Sequence, residues 1–315
     1  MFRLLSFLTL ASYILLISCS TEQEIQTTTI KLNTHIQDEL NSSGDIQKKA
    51  LLFKDFKAKE KPEETYFTSI DSLSIFTVTA KGGDYHTPEN SFRVILVDMD
   101  NDGYFNEIGT DYLYMDALGR DTVKLSNGYF ISVLKKDLTI QAGNELFSVT
   151  EIDKKGLSLQ LEQLSELNSS KADIIFPSKL IPLKAKLLNE ETIDISTFGK
   201  NKYTFIEFWY NGCPGCIKSI PKLAVIAEKY QENLVVLGVN SIDDLAFAQK
   251  VVKKHGFLSF DKQILGIESS EVMDYFSNVS SHPRGFLFDK EGRLVDGDVH
   301  PMKLEGVLQR TILLN

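Results

Sequence analysis

The sequence predicts an α/β domain in the C-terminal half of the chain, preceded by a smaller all-β domain. After about residue 175, compact apolar strands alternate with amphipathic helical segments, which favours a mixed or parallel central sheet. Between about residues 64 and 164, apolar and polar residues alternate with period two and turn residues separate the runs, as at 73–79, 92–97 and 129–134. A chain of 315 residues is long enough for two such cores.

The N-terminus has the features of an export signal. Arg3 precedes an apolar run over about residues 4–17, which is shorter than the roughly 20 residues of a membrane-spanning helix. The letters LISC at residues 16–19 resemble the lipobox of bacterial lipoproteins, in which cleavage precedes the cysteine and that cysteine receives the lipid. We therefore expect a lipid on Cys19 that tethers the protein in the bacterial cell envelope, facing the periplasm or in the outer membrane. An ordinary signal peptide and a retained anchor are the alternatives.

Composition divides the chain further. The predicted segments are a signal peptide over 1–18, a polar lipidated tether over 19–62, the β-rich domain over 63–167, a linker over 168–177 and the α/β domain over 178–315. The chain has 34 basic and 43 acidic residues, a formal charge of −9. Removing the signal peptide takes away only Arg3, which brings the charge to about −10. No basic patch indicates a nucleic-acid partner.

The letters WYNGCPGC at residues 209–216 contain the only two cysteines besides Cys19, too few for a disulfide-stapled scaffold. An apolar strand over 203–209 precedes them, and a helix is predicted from about 214 to 231 with Cys213 as its N-cap and Pro214 at its first position. Backbone N–H groups and the helix dipole stabilise a thiolate at such a position, so Cys213 is the predicted nucleophile. Cys216, three residues on, is the predicted resolving thiol.

This arrangement resembles the thioredoxin superfamily, and more closely its exported TlpA-like branch, from about residue 175 to the C-terminus. The resemblance implies that Glu207, six residues before Cys213, is a buried acid that handles the proton of the second thiol. It also implies that Pro283, in the stretch SHPRGFLFD, is a cis-proline facing the cysteines, and that Pro221 kinks the active-site helix. We expect catalysis to depend on Cys213, Cys216, Glu207 and Pro283.

We assign Trp209, Pro214 and His282 to the substrate-binding surface. The chain departs from the family pattern at Gly212, where the family usually has tryptophan, and at His282, where many relatives have threonine or another small or apolar residue. A protonated His282 near Cys213 would favour the thiolate and make the disulfide more oxidising, whereas a neutral, exposed one would do little.

The predicted activity is thiol–disulfide exchange with envelope protein clients, and the resemblance favours a reductase that an upstream redox partner resets. No organic cofactor is needed, because the redox group is the Cys213–Cys216 pair. One alternative is a non-enzymatic binding module with a calcium-braced β-domain. Another is a copper-binding protein in which Cys213, Cys216 and His282 supply three ligands.

The β-rich domain contains the acidic stretch VDMDNDGYFN at residues 97–106, which has the spacing of a calcium loop. Gly103 permits the sharp turn such a loop needs, but Gly109 stands at the twelfth position, where an EF-hand has glutamate. The predicted ligands are Asp98, Asp100, Asp102, the carbonyl of Tyr104, Asn106 and Asp111, with Glu107 as a further candidate. The alternative is a solvated acidic turn without an ion.

Overall fold

The computed structural model describes residues 27–31, 33–34, 79–87, 90–118, 130–167, 171–256, 262–276, 279 and 281–313. The predicted signal peptide and Cys19 lie outside these ranges. No helix among the described residues combines the length and the apolar character needed to cross a membrane.

The N-terminal part of the chain consists of two five-stranded sheets, which confirms the predicted all-β character. Their orders are β1-β9-β8-β7-β10 and β2-β3-β4-β5-β6, and all neighbours are antiparallel except β10 and β7. The strands are β1 Thr27–Lys31, β2 Asn33–Thr34, β3 Thr79–His86, β4 Ser91–Asp98, β5 Tyr112–Asp116, β6 Ile131–Val133, β7 Thr139–Ala142, β8 Glu145–Ile152, β9 Ser158–Leu164 and β10 Ile174–Phe176. The sheets meet through buried aromatic rings such as Phe92 and Phe147, whose centroids are 6.0 Å apart.

Two predicted connecting segments contain strands instead. β1 and β2 lie within the predicted tether over 19–62, and β1 pairs with β9 in full register. Its run of threonines and an isoleucine is β-branched, which suits an edge strand once a partner is present. β10 lies within the predicted linker over 168–177. This segment forms a strand because its three apolar residues are buried and pair with β7.

The C-terminal part has the predicted mixed sheet, with strand order β15-β14-β13-β16-β17. β13, β14 and β15 are parallel, and β16 and β17 run antiparallel to their neighbours. The elements are the hairpin β11 Lys184–Lys186 and β12 Thr192–Asp194, then β13 Tyr203–Trp209, α1 Pro214–Lys229, β14 Leu234–Asn240, α2 Leu245–His255, β15 Gln263–Leu265, α3 Ser270–Tyr275, β16 Arg284–Phe288, β17 Leu294–Val299 and α4 Leu304–Leu313. This is the thioredoxin fold.

The central sheet has different neighbours on its two faces. On one face, α1 and α4 pack through apolar residues such as Phe205, Leu223 and Leu308. On the other face, the core is continuous with that of the β-rich domain. Phe130 contacts the ring of Phe286 at 6.3 Å and the guanidinium of Arg284 at 5.2 Å. The β-rich domain thus buttresses the strand that begins directly after Pro283.

Candidate active site

A disulfide between Cys213 and Cys216 lies at the N-terminus of α1. As predicted, Cys213 is the N-cap: its backbone is extended, its Sγ accepts the N–H of Cys216 at 3.0 Å, and Pro214 occupies the first helical position. Cys216 is fully buried, whereas Cys213 is 4% exposed. Cys213 is therefore the more exposed of the two cysteines, as an attacking thiol requires.

Pro283 lies against this helix start. The His282–Pro283 peptide bond is cis, as the resemblance implies. A Cβ at Gly215, between the two cysteines, would lie 3.0 Å from Cδ of Pro283. Glycine at this position therefore lets the proline approach the turn that carries the disulfide.

Glu207 is buried in the centre of β13, with 2% of its surface exposed. It pairs with glycine on both neighbouring strands, Gly238 of β14 and Gly285 of β16. Its Oε1 is 3.1 Å from Oγ of Ser219, which donates to it from α1. Burial raises the pKa of Glu207 to about 8, against the opposing effect of the Ser219 hydrogen bond. A carboxyl with this pKa exchanges protons near neutral pH.

His282 is held by two residues that the sequence does not single out. Its Nε2 is 3.0 Å from Oγ of Ser241, at the end of β14, and its ring meets the ring of Tyr210 edge to face at 5.0 Å. Burial lowers the pKa of His282, which favours the neutral imidazole. The structure thus favours the neutral alternative for this residue, though one that is partly buried. No sequence signal links Ser241 to a histidine 41 positions away.

The predicted substrate-binding role of Trp209 is wrong as a direct contact. Its side chain is fully buried, packs with the cysteines and donates its Nε1–H to Oε1 of Gln263 at 3.0 Å. A buried indole whose N–H is hydrogen-bonded packs against the cysteines from inside the core and does not contact a substrate. Pro214, by contrast, is exposed beside the disulfide.

The acidic loop lies between β4 and β5 and is tightly hydrogen-bonded. Both oxygens of Asp98 accept backbone N–H groups, those of Asn101 and Asp102 on Oδ1 and that of Gly103 on Oδ2. Asp111 accepts the N–H groups of Met99 and Glu107. Carboxylate oxygens of Asp98, Asp100 and Asp111 lie within 4.8 Å of one another, as do those of Asp100, Asp102 and Glu107.

Two further predicted ligands lie in the same loop. Tyr104 donates its N–H to Asp102, and Asn106 is an exposed residue of the same loop. Among the described residues, the groups of three or more histidine, cysteine or acidic side chains with metal-ligand proximity are the two in this loop. Cys213, Cys216 and His282 do not form such a group, so the predicted three-ligand copper site is not supported.

Comparisons with known proteins concern the C-terminal part of the chain. Residues 178–296 match the AhpC/TSA family. The chain is 31% identical over 114 residues to the thiol-disulfide oxidoreductase ResA of a Bacillus cereus strain, and 29% identical over 115 residues to that of Bacillus anthracis. Each alignment covers 35% of this chain and 64% of the relative. The chain thus spans somewhat less than two thirds of the length of these curated relatives.

The matches to solved structures cover a somewhat larger share of this chain and nearly the whole of the matched chains. The thioredoxin domain of a thiol-disulfide oxidoreductase from Bacteroides vulgatus has 18% identity and a TM-score of 0.38, covering 43% of this chain and 96% of that one. The thiol:disulfide interchange protein DsbE from Chlorobium tepidum has 18% identity and a TM-score of 0.37, covering 43% and 94%.

Proposed function

We propose that the protein, whose residues 178–296 form a thioredoxin-superfamily domain, is a thiol–disulfide oxidoreductase that acts on proteins. One observation carries the proposal: cis-Pro283 lies against Gly215, between the two cysteines of a disulfide at the start of α1. An extended client segment beside Pro283 would bring its own sulfur to Cys213. No organic cofactor is needed, because the two cysteines carry both electrons.

In the reductase direction, the thiolate of Cys213 attacks a client disulfide, and one client sulfur leaves as a thiolate. Cys216 then gives its proton to Glu207 and attacks the Cys213 sulfur. The second client sulfur leaves, and the Cys213–Cys216 disulfide remains. An upstream dithiol partner reduces it again. Each cycle transfers two electrons from that partner to the client.

The test is a redox titration of the soluble chain that lacks residues 1–19, equilibrated with glutathione or dithiothreitol buffers. We expect one two-electron transition. A midpoint near or below that of thioredoxin, about −270 mV, supports the reductase direction, whereas one near −120 mV identifies an oxidase. No transition would contradict the exchange activity and favour the binding module.

A trapping experiment assigns the two cysteines. We expect Cys216→Ser to accumulate a mixed disulfide with a model disulfide protein, because the resolving thiol is missing. Cys213→Ser is the matched control and should trap little, since Cys216 is fully buried. Equal trapping by the two variants would contradict the assignment of Cys213 as the nucleophile.

We also propose that the protein is an exported lipoprotein tethered through Cys19, which lies outside the described residues. The arginine, apolar run and LISC letters of residues 3–19 support this. Labelled palmitate should enter the full-length chain and not Cys19→Ala, which should also release the protein from the membrane fraction. A wild-type chain that carries no lipid would contradict the tether.

For the acidic loop, we propose a bound calcium ion with a structural role. The close approach of Asp98, Asp100 and Asp111 supports it, since a cation would relieve the repulsion between these carboxylates. Calcium should raise the Tm of the wild-type chain relative to EDTA, and Asp100→Asn should weaken this rise. Asp137→Asn, at an exposed acid outside the loop, is the control. Equal Tm values with calcium and with EDTA would identify an ion-free acidic turn.

A further inference from the structure

Ser219 lies in α1, three residues after Cys216, and its hydroxyl lies between two acceptors. The residue is fully buried. Its Oγ is 3.1 Å from Oε1 of Glu207 and 2.8 Å from the carbonyl oxygen of Cys216. A serine hydroxyl has one hydrogen and two lone pairs, so it donates to one of these oxygens at a time.

This arrangement satisfies Glu207 in both protonation states. When Glu207 is ionised, Ser219 donates to the carboxylate, and the Cys216 carbonyl keeps the hydrogen bond that an α-helix supplies from four residues on. When Glu207 is protonated, its O–H donates to Oγ, and the serine hydrogen turns to the Cys216 carbonyl. In both states Oε1 of Glu207 and the Ser219 hydroxyl keep each other as partners in the core, where an unpaired polar atom is costly.

The other surroundings of Glu207 offer little to stabilise a charge. The residues beside it on β14 and β16 are glycines, Gly238 and Gly285. Arg284 is next to Gly285, but its guanidinium donates to the carbonyl of Gly297 and lies over the rings of Phe130 and Phe286. Among the described residues, burial and the Ser219 hydrogen bond are the influences on the pKa of Glu207, in opposite directions.

We propose that Ser219 is a positioning residue for the thiol–disulfide reaction, whose hydroxyl holds Glu207 against the turn that carries Cys216 and favours the ionised carboxylate. The proposal rests on the proposed function and specifies one step of it. The Cys216 S–H gives its proton to the carboxylate, the resulting thiolate attacks the Cys213 sulfur, and the client thiolate leaves. A hydrogen bond to an ionised carboxylate is stronger than one to its neutral form, so Ser219 increases the fraction of Glu207 that is ionised near neutral pH and able to accept this proton.

The test is an infrared titration of the carboxyl band of Glu207 in the full-length oxidised chain, assigned by subtracting the spectrum of Glu207→Gln. It needs no client. The wild-type midpoint is expected near pH 8. In Ser219→Ala the midpoint should rise by about one pH unit, the size expected for a lost hydrogen bond to a charged group. The pH profile of client reduction should move the same way.

Matched variants separate the effect of the Ser219 hydroxyl from the effect of side-chain volume. Ser219→Thr and Ser219→Val have nearly the same volume, and only threonine keeps the hydroxyl, so the midpoint should rise in valine alone. If the alanine variant does not fold, the comparison of the threonine and valine variants tests the proposal. Ser196→Ala removes a hydroxyl that bonds Asp194 at 2.7 Å, away from this site, and should change nothing.

An unchanged infrared midpoint of Glu207 in both Ser219→Ala and Ser219→Val would overturn the proposal. If the Tm fell in the same variants, Ser219 would have a structural role only. Failure of the proposed function is distinguishable from this result. It would be seen in the wild-type chain as the lack of a two-electron redox transition, whatever the infrared midpoints are.

Discussion

Glu207 and Asp98 are both buried carboxyl groups on central strands, but their hydrogen-bond donors differ in number and kind. Asp98 accepts three backbone N–H groups from the loop that it begins, at 2.7, 3.2 and 2.8 Å. Glu207 accepts one side-chain hydroxyl. Fixed N–H groups stabilise a carboxylate and tie it into the backbone, whereas a rotatable hydroxyl accommodates both the charged and the neutral form.

The difference separates a structural acid from a chemical one. Burial raises the pKa of Asp98, and its three N–H partners oppose that rise. Burial, with a smaller contribution from the nearby acids, raises the pKa of Asp111 to about 6 against its two N–H partners, and burial raises the pKa of Glu207 to about 8. Glu207 therefore titrates near neutral pH beside a dithiol, while the loop acids organise backbone.

The largest effect on the rate of client reduction should follow from replacing Glu207, the titratable acid beside the two cysteines. We expect Glu207→Gln to lower the rate of client reduction at pH 7 about 100-fold, because general acid–base groups contribute at least that much. Asp111→Asn is the control: it also replaces a buried acid by its amide, but in the loop, and should leave the rate within twofold. Equal losses in both variants, measured in one coupled assay, would erase the distinction between the two acids.

Replacing Asp98, the buried acid of the loop, should instead affect the stability of the fold and not the redox chemistry. Asp98→Ala would leave three backbone N–H groups without their acceptor, so we expect the free energy of unfolding in urea to fall by about 2 kcal/mol. The redox midpoint of the Cys213–Cys216 pair should stay the same. A changed midpoint would show that the loop and the dithiol are coupled through the shared core.

The pH dependence of stability should show both acids, in different windows. Between about pH 4.5 and 8 the folded protein keeps a proton on Glu207 that the unfolded chain releases, so the free energy of unfolding falls as the pH rises. With calcium removed by EDTA, Asp111 acts the same way between about pH 3.8 and 6. Glu207→Gln should flatten the curve between pH 6 and 8, and Asp111→Asn only below 6. Urea unfolding at half-unit pH steps tests this, and a wild-type curve that is flat from 6 to 8 would contradict the pKa of Glu207.

Local sequence signals predicted the parts of the site that one element builds. The strand over Tyr203–Trp209, the N-cap at Cys213 and the helix after it all follow from a stretch of under 30 residues. What failed depends on distant partners. Strand β1 forms because β9 pairs with it more than 120 residues later in the chain. The buried indole of Trp209 has its N–H satisfied by Gln263, which lies 54 residues away. The cis-proline came from family resemblance, since X-Pro bonds are cis in only about one case in twenty.

The smallest effect should come from Ser241, which gives His282 a single hydroxyl partner much as Ser219 does for Glu207. Burial lowers the pKa of His282 and so favours its neutral ring. Loss of the Ser241 hydroxyl, which leaves this ring less firmly held, should therefore change the charge beside the dithiol little. We therefore expect Ser241→Ala to move the redox midpoint at pH 7 by less than about 30 mV, a factor of ten in the equilibrium constant. Ser241→Thr, which keeps the hydroxyl, is the control. A larger shift in the alanine variant alone, with a step in the rate of client reduction between pH 6 and 7, would show that His282 does carry charge and that one hydroxyl sets the behaviour of a buried base as well as of a buried acid.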